Sequence, residues 1–131
     1  MQARTASDLM THPVITVRKD MKLTEVIEVL LRWHISGVPV VDEDGGRLVG
    51  LISEMDIMNF AFDGHAAEVR VEEAMSTEVI WYPLTATMEE LVSSCVQNRI
   101  RRIPIVDDGK VVGIVSRRDI LREMQHIYSR Y

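Results

Sequence analysis

The sequence predicts an α+β fold: two β-α-β-β-α repeats packed sheet to sheet with pseudo-two-fold symmetry. Three observations predict it. Laying the chain on itself so that Met10 meets Met75 also brings Val14 onto Val79, Ile15 onto Ile80, Ile35 onto Ile100, Pro39 onto Pro104, Val41 onto Val106 and Asp42 onto Asp107. A fixed-period match of this kind marks a duplicated unit. Past a turn that is longer in the first copy (DEDGGR against DDGK), Gly50 meets Gly113, Ser53 meets Ser116 and Asp56 meets Asp119. A length change confined to a turn is what loops tolerate. Finally, a chain of 131 residues is the size of one compact domain, or of two very small ones sharing a core, and neither copy has enough core to stand comfortably alone.

Each repeat opens on a short strand, expected at Val14 to Thr16 and at Val79 to Trp81. Leu23, Val26, Ile27, Leu30 and Leu31 then follow helical spacing, and Met88, Leu91, Val92, Cys95 and Val96 occupy the same positions in the second copy. Such stripes read as core. Thr87 and Glu90 add a capping box to the second of these helices. The runs VPVV and IPIV, each followed by an Asp-Gly turn and then LVGLIS or VVGIVS, read as hairpins. A closing helix is expected over Glu54 to Ala61 and over Arg117 to Tyr128. FDGHAAEVR has no sustained apolar period, so the organisation predicted is repeat 1 over 8–61, a linker over 62–70 and repeat 2 over 71–128. An N-terminal segment is expected to reach across.

Composition narrows the function. A net charge of −5 argues against binding duplex nucleic acid, which needs surplus Lys and Arg to displace counterions. It leaves room for a small anion held by a local arginine cluster. The single cysteine, Cys95, cannot form an internal disulfide, and no Cys/His spacing resembles a metal site. The opening MQARTASDLM has no apolar run of signal-peptide length, and nothing approaches the ~20 apolar residues of a membrane helix. A cytoplasmic protein without a membrane partner is expected.

A strand that ends in serine and runs at once into a helix leaves a hydroxyl and free amide donors at the helix N-terminus, a natural anion site. An aspartate three residues on is favoured there by the helix dipole. Ser53 with Asp56 and Ser116 with Asp119 fit equally well a capping role, with serine at the N-cap and aspartate as its N3 acid. Both readings stand at this point.

The order Met-x-x-x-Val-Ile, amphipathic helix, Val/Ile-Pro-Val/Ile-Val-Asp, hairpin, Gly-x-x-Ser-x-x-Asp-Ile, twice over, resembles a tandem CBS-domain pair, or Bateman module, in a stand-alone CBS-domain protein. The resemblance covers about residues 8 to 127. It implies a regulatory, energy-sensing module that binds AMP, ADP, ATP or S-adenosylmethionine in clefts between the two repeats. It implies ribose contacts from Asp56 and Asp119, which suits a carboxylate's ability to accept from both hydroxyls of a cis-diol. Ser53 and Ser116 then lie near the phosphates. Val14, Ile15 and Thr16, with Val79, Ile80 and Trp81, then line the adenine region.

The two copies differ in charge. The second has Arg99, Arg101 and Arg102 before its hairpin and Arg117 and Arg118 within Ser-x-x-Asp. The first has His34, Ser36 and Gly37, then Glu54 and Met55, at those places. Guanidinium forks suit phosphate, so Arg101, Arg102 and Arg117 are the expected phosphate contacts, with Arg101 and Arg102 serving different clefts because side chains alternate along a strand, and the second site is expected to bind an adenine ribonucleotide more tightly. Arg99 to Arg102 also read as a solvated helix end. Trp81 departs from the small polar residue often found in the family, and its ring either stacks on adenine or fills the cleft. His12, His34, His65 and His126 are scattered, and Met55, Met58 and Met124 read as gap fillers. No catalytic constellation, metal site or cofactor is expected.

Two functions compete: a nucleotide-sensing regulatory module acting on an unknown effector protein, and a ligand-free dimerisation or docking module. In either case Ile120, Met124, Ile127, Tyr128 and Tyr131, with Ile57 and Phe60, form an apolar stripe expected to serve a homodimer.

Overall fold

The computed structural model describes residues 4–42 and 45–129. Tyr131, part of the expected dimer stripe, and Glu43 and Asp44 of the first turn lie outside them. The chain divides into two compact units, one formed by Ile15–Val79 and the other by residues 4–14 together with 80–129.

In the first unit, β1 (Val17–Arg18) runs parallel to β2 (Gly37–Val41), which pairs antiparallel with β3 (Leu48–Ser53). The helix α2 (Leu23–Trp33) connects β1 to β2 and buries Leu23, Val26 and Leu30. His34 ends it in the left-handed conformation, with its N–H closing on the Leu30 carbonyl. α3 (Glu54–Ala61) follows β3 directly, and α4 (Val71–Ala74) returns to the same core. Val17, Val38, Val40, Ile52, Ile57 and Val71 meet there.

The second unit repeats the plan with a borrowed start. Helix α5 (Met88–Asn98) precedes the antiparallel pair β4 (Arg102–Asp107) and β5 (Lys110–Ser116), and α6 (Arg117–Tyr128) closes the unit. The short α1 (Ala6–Leu9) supplies Ala6 and Leu9 to a core with Ala86, Leu91, Ile103, Ile105, Val115 and Ile120. The Ala6 N–H donates to the Ala86 carbonyl at 2.8 Å, and Thr11 pairs with Ile114 as an isolated bridge. In the first unit α4 and Ser76 do the same work, with Ser76 bridging Leu51. The segments leading into each repeat therefore close different units: residues 4–14 the second, 71–79 the first.

Proline in a central strand normally breaks a ladder, yet both hairpins carry one. Pro39 lies opposite Leu51, whose N–H and C=O both go to Ser76 at 2.9 Å. Pro104 lies opposite Ile114, whose N–H and C=O both go to Thr11. Each proline thus occupies a position from which its cross-strand neighbour asks for no hydrogen bond.

Four expectations are corrected. The opening strand falls on Val17–Arg18 instead of Val14–Thr16, because Val17 is the residue whose side chain enters the core. In the second repeat the Val79–Trp81 segment is not a strand, and Tyr82, the counterpart of Val17, makes a single parallel bridge to Ile105. The apolar stripe is split: Ile57 and Ile120 are buried and Met124 packs on the core, while Phe60 and Tyr128 are exposed, as is Leu121 of α6, which lies outside the stripe. Met55 and Met58 fill no gap; both face solvent, as do Phe60 and Phe62. Helical period alone identifies an apolar face; it does not say how far around the helix the unit's own core reaches.

Candidate functional site

The two Ser-Asp motifs sit where β3 enters α3 and where β5 enters α6. Asp56 Oδ2 accepts from the Ser53 N–H at 2.9 Å and from Ser53 Oγ at 3.1 Å, and the Asp56 N–H donates back to Oγ at 3.3 Å. The second copy has the same three bonds between Ser116 and Asp119, at 2.8, 3.0 and 3.2 Å. These are complete capping boxes. They have company: Asp8, Glu25, Glu73 and Glu90 likewise accept from the N–H three residues before them. All six helices among the described residues start this way, so a carboxylate at N3 is the chain's general way of opening a helix and does not by itself mark a ligand site.

What sets Asp119 apart is burial. Only 8% of its surface is exposed, and its Oδ1 accepts from Arg122 Nη1 at 3.1 Å. Arg122 was not singled out in the sequence, although a guanidinium three residues after a carboxylate on a helix is a recognisable pair.

The arginines meet at one corner of the second unit. Arg117 Nε donates to the Ile100 carbonyl at 3.0 Å and Nη2 to the Arg99 carbonyl at 3.4 Å. Its own N–H donates to the Arg101 carbonyl at 3.0 Å. The Arg117 side chain therefore braces the turn after α5, where Arg99 takes the left-handed conformation. Arg102 is half-buried on β4 opposite Ser116, while Arg101 and Arg118 are exposed. In the first repeat Glu54 makes the equivalent backbone bond to Ser36 at 2.9 Å, and Gly37 lies opposite Ser53. Ser116, Arg102, Arg117 and the Arg101 carbonyl are thus brought together beside Asp119.

The expected adenine-region residues differ in exposure. Val14, Ile15, Thr16 and Val79 are half-buried, whereas Ile80 and Trp81 are exposed, Trp81 at 50%. Among the described residues no group of His, Cys, Asp or Glu is placed to hold a metal, and no helix is long and apolar enough to cross a membrane.

The CBS domain family matches twice, at residues 6–63 and 71–126. The chain belongs to the CBS-domain family. As a tandem pair it is 32% identical over 114 residues to the CBS domain-containing protein YhcV of Bacillus subtilis, covering 86% of this chain and 80% of that one. Other curated relatives are much longer, and the chain spans 13%, 24% and 41% of the length of three of them. Among solved structures, the CBS domain pair of protein MJ0100 in complex with 5-methylthioadenosine and S-adenosyl-L-methionine superposes with a TM-score of 0.83 at 29% identity, covering 96% of this chain and 99% of that one. CBSX2 in complex with AMP gives 0.84 at 25% identity, over 95% and 98%. The mixed α+β architecture of the CBS pair is shared with both.

Proposed function

We propose that this CBS pair is a regulatory module whose input is an adenosyl ligand of the AMP, ADP, ATP or S-adenosylmethionine class. The observation that carries the reading is the likeness, over nearly the whole chain, to two CBS structures that hold AMP, S-adenosylmethionine or 5-methylthioadenosine. In this reading Asp56 and Asp119 accept from ribose hydroxyls, each with its Oδ1, since Oδ2 is committed to the capping serine. Ser53, Ser116, Arg101, Arg102 and Arg117 serve the phosphates. Val14, Ile15, Thr16, Val79, Ile80 and Trp81 border the base. The module has no catalytic task of its own; it works in the cytoplasm as a homodimer and passes its state to an effector protein.

Thermal shift against AMP, ADP, ATP, S-adenosylmethionine and GTP tests the reading, because a ligand that binds only the folded chain raises its stability by about 2.7 kcal/mol at a hundredfold excess over Kd. An adenosyl ligand that raises the melting temperature where GTP does not supports it; a flat response to the whole panel overturns it.

A second reading, a ligand-free dimerisation or docking module, is favoured by one observation. Met55, Met58, Phe60 and Phe62 in and just after α3, and Leu121 and Tyr128 on α6, are exposed, and apolar surface of this kind on a small protein marks an interaction face. A flat thermal response together with a dimer mass in light scattering selects it.

A further inference from the structure

The two Ser-Asp boxes differ at one oxygen. In the first, no described residue donates to Asp56 Oδ1. In the second, Asp119 Oδ1 accepts from Arg122 Nη1 at 3.1 Å. The Arg122 side chain is 69% exposed and the Asp119 side chain 8%, so the guanidinium lies on the solvent side of a nearly buried carboxylate. The residue at the corresponding place in the first repeat is the neutral Asn59.

Resting on the adenosyl reading above, we propose that Arg122 is a built-in competitor for Asp119, and that it makes the second-repeat site discriminate against adenosyl ligands that bring no anionic group. A carboxylate offers about four acceptor positions. Oδ2 of Asp119 already takes two donors, from the Ser116 N–H and Oγ. A cis-diol must therefore use Oδ1, and there it meets the guanidinium. A nucleoside that displaces Arg122 exchanges one charge-assisted bond for hydroxyl bonds and gains little. A nucleotide that displaces it supplies phosphate oxygens to which a guanidinium bonds well, so the released arginine finds a new partner on the ligand. At Asp56 no such exchange is required. Exposed ion pairs are weak, so the bias is graded, about two- to fivefold in affinity.

The test is calorimetry on the full chain carrying Asp56→Asn, which leaves the Asp119 carboxylate as the reporting site. Adenosine and AMP are titrated into that protein and into the same protein with Arg122→Gln or Arg122→Lys. Arg122→Gln is expected to tighten adenosine about two- to fivefold and to narrow the preference for AMP over adenosine, while Arg122→Lys stays close to arginine. In the reciprocal background, Asp119→Asn, placing Asn59→Arg is expected to weaken adenosine at Asp56 by a similar factor. If AMP binds and Asp119→Asn abolishes that binding, yet Arg122→Gln leaves adenosine unchanged, undetectable or weaker, the competitor role is overturned and the adenosyl reading survives. If neither adenosine nor AMP binds the unmodified protein, the competitor role fails, and the adenosyl reading fails with it only where ADP, ATP and S-adenosylmethionine also leave the melting temperature unchanged.

Discussion

Gly50 and Gly113 lack side chains because methionines lie where the side chains would go. A Cβ on Gly50 falls 2.6 Å from Met75 Sδ and 2.8 Å from the Ser76 carbonyl oxygen, whereas the three atoms nearest one on Gly113 all belong to the Met10 side chain. Neither glycine has a positive φ, so the obstacle is space alone. Gly50→Ala should then destabilise by about 1–3 kcal/mol and more than Gly113→Ala, since a backbone oxygen gives way less readily than a thioether. Met10→Ala should restore much of the loss at Gly113; urea melts of the three variants decide it. Cys95 has a thiol pushed upward by burial, partly opposed by the charge of Arg117, so it should react with a disulfide reagent more slowly than a free thiol at neutral pH and speed up on alkalinisation. At this scale the sequence told us which residues repeat and left open what they touch. The bonds from the Arg117 side chain to the Arg99 and Ile100 carbonyls depend on a turn that no linear spacing reveals.

Helices were the most legible elements. The bounds Glu54 to Ala61 and Arg117 to Tyr128 are those of α3 and α6, because a serine cap and an N3 carboxylate fix the start of each. Opening strands were the least legible: one or two paired residues carry no period, and the depth to which Val17 is buried decided the register. The universality of the acid caps lets capping be separated from binding. Thr87→Ala, which removes the cap of α5, should cost about 0.5–2 kcal/mol of stability and leave AMP affinity unchanged. Ser116→Ala should cost a similar amount of stability and also weaken AMP; a loss of affinity in both would assign Ser116 to capping alone. The box that opens α1 carries a pH signature. Hydrogen bonds from the Thr5 backbone and hydroxyl hold the Asp8 carboxyl below the ordinary carboxylate range. A depressed pKa contributes stability above its unfolded value and loses it as pH falls through the folded one. The α1 amides should therefore titrate on the acid side of an ordinary carboxylate in NMR, and Asp8→Asn should abolish that titration.

At the scale of the whole molecule, the repeats seen in the sequence and the compact units in space do not share boundaries. The first unit is continuous, Ile15–Val79, whereas the second joins residues 4–14 to 80–129. Deleting residues 1–14 removes Ala6 and Leu9 from the core of the second unit together with the Thr11–Ile114 bridge. Hydrogen exchange should then accelerate in β4 and β5 well beyond any change in β2 and β3; equal acceleration in both hairpins would contradict the partition. Periodicity cannot reveal such an arrangement, because a segment has the same pattern whichever core receives it. The partition also bears on how the chain is made. Every segment of the first unit has left the ribosome once Val79 is clear of the exit tunnel. Residues 4–14 emerge earlier still, and their partners at Ala86 and Ile114 are among the later residues to be synthesised. Residues 4–14 must wait for those partners: a stretch made early is settled late.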